Sequence, residues 1–235
     1  EHVRRHLVAK YGHERVYNEG LKVTTTCDLD LQQHAQQAIA SGVLTTDQRI
    51  GLRRDVMQTV TGKANITTFR KEAEQKLREA NAFKKDPAGR TPLPDKSVLN
   101  EGEIYEAVVI EVAASHATVG VGVHDVVIPI QLARWAYGPN PKRGWRSRKQ
   151  TSFLNKVDTD GDGKKDAQAL QVGDVVQLKL QTRDSKNAGK ELAKQITGPP
   201  AAKKKMAVGE LWQTPEVEGA LLSYEIKSGA VRAMV

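Results

Sequence analysis

The sequence predicts a β-rich α+β fold, a small five-stranded OB-like barrel with helical flanking connector segments. Three β-branched runs with strand periodicity follow Gly102, at residues 108–112, 119–123 and 126–130. Turn-sized breaks at Ser115–His116 and His124–Asp125 make these runs an antiparallel meander. After an insertion, residues 175–180 and 190–196 are expected to supply the fourth and fifth strands.

The composition limits how much of the chain one core can hold. Of 235 residues, 39% are hydrophobic and 5% aromatic, which favours one modest barrel with polar flanks. No apolar run approaches the ~20 residues of a membrane helix, and no signal peptide is visible. The chain begins at Glu1 and stops inside a strand-like run at Val235, so we expect a fragment of a longer protein.

The numbers of cysteine and histidine residues and the net charge limit which kinds of functional site the chain can contain. The single cysteine, Cys27, excludes an internal disulfide framework and a cysteine-rich zinc site. The six histidines lack metal-ligand spacing. The net charge of +8 suggests an anionic partner, but the basic residues are spread along the whole chain.

The flanks before the barrel are expected to be mainly helical. A helix over residues 2–10 should stop at Gly12, and residues 21–26 have the composition of a short strand. Asp28 is placed to cap a helix with Leu31, Ala35 and Ile39 on one face. Residues 55–85 have helical spacing, and the breaker-rich stretch 87–94 predicts a loop.

Several stretches resemble, in the same order, parts of class A penicillin-binding proteins. The connector pattern G-L-x-V-x-T-T-x-D followed by L-Q-x-x-A matches at Gly20, Leu21, Val23, Thr25, Thr26, Asp28, Leu31, Gln32 and Ala35. A D-x-R-x-G-x-R-G turn matches from Asp47 to Arg53, although Arg54 replaces its last glycine. Residues 107–112, 128–130, 135–136 and 172–176 resemble the OB-like domain of the 1A type, and residues 211–221 and 226–235 resemble the first transpeptidase strands.

The resemblance implies a division of the chain and a set of partners. Residues 1–54 would connect the glycosyltransferase and transpeptidase domains, and 55–101 would be a variable helical segment and loop. The barrel would occupy 102–198 with an insertion at 137–170, and 199–235 would be a linker with the first transpeptidase strands. By resemblance, the parent polymerises lipid II and cross-links peptidoglycan in the periplasm, anchored in the inner membrane. Expected partners are those two domains, a cell-wall or outer-membrane regulatory protein, and a second copy of the fragment.

The fragment itself is expected to be non-catalytic. A transpeptidase of this class needs a serine followed three residues later by lysine, then S-x-N and K-T-G motifs. No serine in the chain has a lysine at that spacing. Ser185–Lys186–Asn187 and Lys227–Ser228–Gly229 look like the other two motifs, but we interpret both as chance matches in turns.

The most specific local motif indicates calcium. Asp158, Asp160 and Asp162 take positions 1, 3 and 5 of a D-x-D-x-D-G loop, the Lys164 carbonyl takes position 7 and Asp166 takes position 9. Ala169 stands at position 12 in place of the bidentate glutamate, which predicts weak affinity. The alternative is a solvated Asp/Gly-rich loop.

A second function class remains open from the sequence. Residues 141–149 form a basic stretch around Trp145, and OB-like barrels bind single strands through cationic grooves with aromatic residues. The alternative function is therefore a stand-alone single-stranded nucleic-acid-binding module. Because the strands themselves carry few aromatic residues, we expect no nucleic acid as partner.

Overall fold

A computed structural model describes residues 2–54, 57–82, 97–138, 144, 146, 149–158, 164–165, 167–181 and 207–235. Its helices are α1 (His2–Tyr11), α2 (His13–Asn18), α3 (Leu29–Ile50) and α4 (Lys63–Ala82), with a short 3₁₀ turn at Ile130–Leu132. Its strands are β1 (Ile104–Val112), β2 (His116–Val121), β3 (His124–Pro129), β4 (Lys156–Val157), β5 (Ala167–Gln168), β6 (Val175–Leu180), β7 (Ala207–Trp212), β8 (Leu222–Tyr224) and β9 (Val231–Met234). The chain forms two compact units, Leu44–Val217 and Glu1–Val43 with Glu218–Val235.

The unit Leu44–Val217 contains the predicted barrel. Its five strands close in the order β1-β2-β3-β7-β6, with β3 and β7 parallel and the other described pairs antiparallel. Alternate side chains of the strands face inward, and the interior is filled by apolar residues that include Val109, Val119, Ile128, Leu178 and Leu211. The predicted fold class, a β-rich five-stranded OB-like barrel with helical flanks, is confirmed.

Two predictions about the barrel strands need correction. The break between β2 and β3 lies at Gly122–Val123, because Gly122 has a φ of 56° and Val121 pairs with His124 across a two-residue turn. The strand that closes the barrel is β7, not residues 190–196, which lie outside the described residues. β7 lies between β3 and β6 and forms hydrogen bonds with both of them. The barrel therefore extends past residue 198, where the sequence analysis expected it to end.

Helix α4 packs against one outer face of the barrel. Arg70 donates from Nε to the carbonyl oxygen of Gly122 (2.8 Å) and pairs through Nη2 with Asp125 (2.8 Å). A Cβ at Gly120 would lie 2.8 Å from Arg70 Nε, so this glycine leaves space for the arginine. Residues 117–121 of β2 are accordingly buried at every position. The helix begins at Lys63 rather than at residue 55.

The other unit joins the chain's first helices to its last hairpin. Asp28 caps α3 as predicted, because its Oδ1 accepts from the backbone N–H groups of Asp30 and Leu31 at 3.1 Å each. Residues 21–26 do not form the expected strand. Single contacts hold that segment instead, such as the bond from the Thr26 hydroxyl to the Val231 carbonyl at 2.7 Å. The hairpin β8–β9 turns at residues 226–228.

Candidate functional site

A buried ion pair fastens the end of α3 to the segment that follows β7. Asp47 lies in the last turn of α3 with an exposed fraction of 0%, and Arg53 Nη1 donates to its Oδ1 at 2.6 Å. The second carboxylate oxygen accepts from Gln213 Nε2 at 2.7 Å. Arg53 also reaches the Thr214 carbonyl oxygen at 2.5 Å and the Glu216 carboxylate at 3.2 Å. The buried carboxylate thus has a partner for each oxygen, as a buried charge requires.

The next residue in the sequence makes a second buried pair on a different part of the barrel. Arg54 donates through both terminal nitrogens to Asp174, at 2.6 and 3.3 Å, and Nη1 also donates to the Ala169 carbonyl oxygen at 2.9 Å. Asp174 precedes β6, and it additionally accepts from the Thr59 hydroxyl and from the Gln171 backbone N–H. Two neighbouring arginines therefore bind two separate regions of one unit.

The turn between α3 and these arginines depends on a glycine. Gly51 has a φ of 114°, and a Cβ at this position would lie 2.2 Å from the Tyr137 carbonyl oxygen. The next backbone N–H, that of Leu52, donates to the same carbonyl oxygen at 2.8 Å. The conformation of Gly51 therefore ends α3 and leads the chain to the barrel, where Arg53 and Arg54 are bound.

A cleft of about 390 Å³ opens beside the Arg53 network, between Leu52, Arg53, Met57 and Gln58 on one side and the outer faces of β1, β6 and β7 on the other. Glu106 pairs in register with Gln177, and Gln177 pairs with Trp212, so these side chains form one row across the three strands. Lys179 lies next in line along β6, and its Nζ is 5.0 Å from the centre of the Trp212 ring. This row, with Met57 and Gln58 opposite, is the candidate binding surface of the described chain.

One acidic residue beside the cleft has a perturbed pKa. Burial raises the pKa of Glu210, and the hydrogen bond donated by Gln181 and the charge of Lys179 offset only part of that rise. The Gln181 bond to the Glu210 carboxylate is 3.0 Å long. Glu210 is the register partner of Lys179 on β7, so its charge state acts on the same side of the strands as Trp212.

The predicted calcium ligands are only partly described. Asp160, Asp162 and Asp166 lie outside the described residues, whereas Asp158 is buried with an exposed fraction of 6% and Lys164 is exposed. The strands β4 and β5 pair on either side of this loop. Within the described part of the chain, no group of three or more His, Cys, Asp or Glu residues is arranged to hold a metal. Calcium binding stays a prediction.

The two sequences that resemble transpeptidase motifs do not form a site within the described residues. Ser185–Lys186–Asn187 lies outside the described residues. Lys227–Ser228–Gly229 occupies the turn of the β8–β9 hairpin, where the Ser228 hydroxyl donates to the Glu225 carboxylate at 2.5 Å. Sequence reasoning missed the cleft and both arginine networks. The D-x-R-x-G-x-R match, which contains Asp47 and Arg53, was the available signal for the first of them.

Comparisons with known proteins extend the motif resemblance. No protein-family model matches the chain. The chain is 26% identical over 233 residues to penicillin-binding protein 1A of Vibrio cholerae serotype O1. Nearly the whole chain resembles penicillin-binding protein 1A. The match covers 97% of this chain but 22% of that protein, so the chain spans about a fifth of its relative's length.

A solved structure is also similar. The crystal structure of penicillin-binding protein 1A from Haemophilus influenzae covers 100% of this chain with a TM-score of 0.49 and 18% identity, and the chain covers 24% of it. The resemblance to class A penicillin-binding proteins predicted from the sequence motifs is confirmed by the Vibrio cholerae relative. Among the helices of the described residues, none combines the length and apolar character needed to cross a membrane.

Proposed function

We propose that the chain is the non-catalytic connector and OB-like module of a bifunctional peptidoglycan synthase that carries glycosyltransferase and D,D-transpeptidase domains. The observation that carries the proposal is the match to penicillin-binding protein 1A, which includes 97% of this chain and only 22% of the relative. The parent would be anchored in the inner membrane and would act on the periplasmic side in cell-wall biosynthesis. The missing S-x-x-K motif supports a non-catalytic role for this part.

The module's first task would be to hold a fixed spacing between the two catalytic domains. The paired arginines support this role, because Arg53 and Arg54 attach the connector to the barrel through buried carboxylates rather than through flexible contacts. The second task would be to dock a regulatory protein from the cell wall or outer membrane. A full-length synthase with the barrel deleted should lose stimulation by a cell-envelope extract, and retained stimulation would contradict the docking role.

A fluorescent β-lactam tests the catalytic assignment. The full-length parent should become covalently labelled, because it would contain the complete serine nucleophile motif. The 235-residue chain should stay unlabelled under the same conditions. Labelling of the isolated chain would show that it contains a reactive nucleophile and would contradict the proposal.

The alternative function is single-stranded nucleic-acid binding. The packing of α4 on β2 disfavours this function. OB folds bind nucleic acid mainly on the face of their second and third strands. On this barrel Arg70 of α4 covers Gly120 on β2, and its charge is engaged by Asp125. We expect no binding of a fluorescent oligothymidine at low salt, and steeply salt-dependent binding would favour the alternative.

A further inference from the structure

We propose that the groove between α4 and β1 is a docking surface for a cationic amphipathic helix of another protein. The groove has a volume of about 290 Å³, and its described lining comes from one face of α4, the start of β1 and Val121 of β2. All of these residues belong to the unit Leu44–Val217. The inference stands on the described residues of the groove and does not require the proposed function.

The floor of the groove is an apolar stripe along α4. Phe69, Ala73, Leu77 and Ala80 recur at helical spacing, and all four line the groove. The two alanines have only methyl side chains, so they leave room beside the larger phenylalanine and leucine. On the opposite wall Ile104 has an exposed fraction of 45%, which leaves apolar surface open to a partner.

The length of the stripe suits a partner helix. At 1.5 Å per residue, the stripe from Phe69 to Ala80 spans about 16 Å, which is roughly three helical turns. A partner helix of that length presents apolar side chains at positions i, i+3 or i+4, and i+7 to such a groove. Those side chains would enter the groove beside Ala73 and Ala80, where α4 leaves the most room.

Hydrogen bonds near both ends of the stripe fix α4 to the barrel, so the groove is formed before a partner binds. Arg70 Nε donates to the Gly122 carbonyl oxygen at 2.8 Å. At the other end, Asn81 Nδ2 donates to the Val98 carbonyl oxygen at 2.8 Å, and Asn81 Oδ1 accepts from Asn100 Nδ2 at 3.2 Å. A preformed surface lowers the entropic cost of binding on the side of this chain.

The rim of the groove is acidic. In its described lining, the charged side chains are three glutamates, Glu72 on α4 with Glu103 and Glu106 at the start of β1, and one lysine, Lys76. The carboxylates of Glu72 and Glu106 have no hydrogen-bond or ion-pair partner in the described part of the chain. They can therefore accept from lysine or arginine side chains on either side of a docked helix.

The acidity of the rim is local, because the whole chain has a formal net charge of +8. A cationic partner is therefore repelled by the molecule as a whole and attracted only where carboxylates are concentrated. Lys179 is the register partner of Ile104, but its ammonium lies 5.0 Å from the centre of the Trp212 ring. The groove thus favours a helix with one apolar face bordered by cations, and it disfavours an anionic helix.

Isothermal titration of the 235-residue chain with the peptide acetyl-LKKLLKLLKKLLKL-amide tests the proposal. We expect saturable binding with a dissociation constant of about 1–100 µM, weakened as the salt concentration rises. Peptides with serine in place of every leucine, or glutamate in place of every lysine, should bind at least about tenfold more weakly. Absence of binding at ~1 mM of the leucine and lysine peptide, or equal affinity for either of the other peptides, would overturn the proposal.

Variants locate the docking surface. Ala80→Trp fills the groove from an exposed position on α4, and Glu106→Lys reverses one charge of its rim. Each should weaken binding of the leucine and lysine peptide by about tenfold or more. The matched control Glu111→Lys reverses the charge of an exposed glutamate farther along β1, outside the groove, and should bind like the unaltered chain. Melting curves check that each variant is folded. Unchanged binding in either folded groove variant, or an equal loss in Glu111→Lys, would overturn the assignment.

Discussion

The carboxylate of Asp47 is fully buried, and its charge depends on one arginine. Replacing Arg53 by alanine would leave Asp47 without its cation, while Gln213 and the Glu216 backbone N–H would still each donate a hydrogen bond. Removing one partner of a buried ion pair costs about 3–5 kcal/mol, because the other charge remains desolvated. We therefore expect Arg53→Ala to lower the free energy of unfolding by that amount, measured by urea denaturation.

The control for this variant is an arginine in an exposed pair. Arg78 bonds Glu74 on the surface of α4 with an exposed side-chain fraction of 55%. Arg78→Ala should cost less than about 1 kcal/mol, since solvent screens such pairs. Equal losses for Arg53→Ala and Arg78→Ala would mean that the Asp47 network does not hold the connector.

The raised pKa of Glu210 makes the free energy of unfolding depend on pH. Because burial raises the pKa of Glu210, its stabilising contribution is present below the ordinary carboxyl pKa and is lost as the pH rises through the folded-state value. Glu210→Gln keeps an oxygen that can accept from Gln181 and removes the charge. We expect the variant to be more stable than the unaltered chain at neutral pH, with the difference vanishing in acid. Urea unfolding across a pH series measures this, and a gain that persists in acid would exclude the carboxylate as its cause.

At the scale of elements, the sequence patterns correctly predicted the features that depend on residues close together in the chain. Asp28 at the start of α3 and the alternating valines of β1 and β2 are patterns that their own neighbours satisfy. Residues 21–26 have strand composition, yet they form no described strand, because composition alone does not provide a pairing partner. The closing strand β7 was misplaced for the same reason, since its partners β3 and β6 lie far away in the sequence.

The insertion after β3 is closed by a close approach at Gly138. A Cβ at this position would lie 1.1 Å from the carbonyl oxygen of Asp158, a backbone atom that cannot rotate away. Gly138→Ala should therefore force the two segments apart and destabilise the chain by about 1–3 kcal/mol in urea unfolding. Gly144→Ala is the matched control in the same insertion, because a Cβ there meets nothing within 4 Å. A harmless Gly138→Ala would contradict the described approach of these segments.

The same insertion contains the predicted calcium loop. The described residues at the two ends of the loop are packed or hydrogen-bonded. Asp158 is buried, and the Ala169 carbonyl oxygen accepts a hydrogen bond from Arg54 at 2.9 Å. With no glutamate at position 12, we expect a dissociation constant of about 10⁻⁴–10⁻³ M and a stabilisation of about 1.4–2.7 kcal/mol at ~10 mM calcium. Calorimetric titration of chelator-treated protein and melting curves with and without calcium measure both quantities.

Two further variants distinguish calcium binding by this loop from a general effect of ionic strength on stability. A variant carrying Asp160→Asn and Asp162→Asn should lose both the heat and the stabilisation, because two carboxylate ligands become neutral amides. Asp30→Asn, which changes an exposed aspartate in the first turn of α3, should keep them. A melting temperature that rises equally in all three proteins would make the loop a solvated turn.

At the scale of the molecule, the candidate site could not be predicted because it is assembled from distant segments. Gln213 and Asp47 are 166 positions apart, and Arg54 and Asp174 are 120 apart. Each residue alone has the ordinary appearance of a surface polar group. Only the closed barrel places the Arg53 network beside the row of Glu106, Gln177 and Trp212. Periodicity identifies strands, but it carries no information on which outward-facing residues become neighbours.

The unit Leu44–Val217 is larger than the barrel expected from the sequence. The apolar interior of the barrel includes Leu52 before the first strand and Leu211 on β7, and the buried pairs of Arg53 and Arg54 also lie within Leu44–Val217. A polypeptide of residues 44–217 should therefore fold alone and unfold in one cooperative transition. A polypeptide limited to residues 102–198, the barrel expected from the sequence, lacks β7 and both arginines, and its unpaired strands should remain unfolded or aggregate. Circular dichroism melting and dispersed amide NMR spectra distinguish the two, and a cooperatively folded 102–198 polypeptide would mean that another segment closes the barrel.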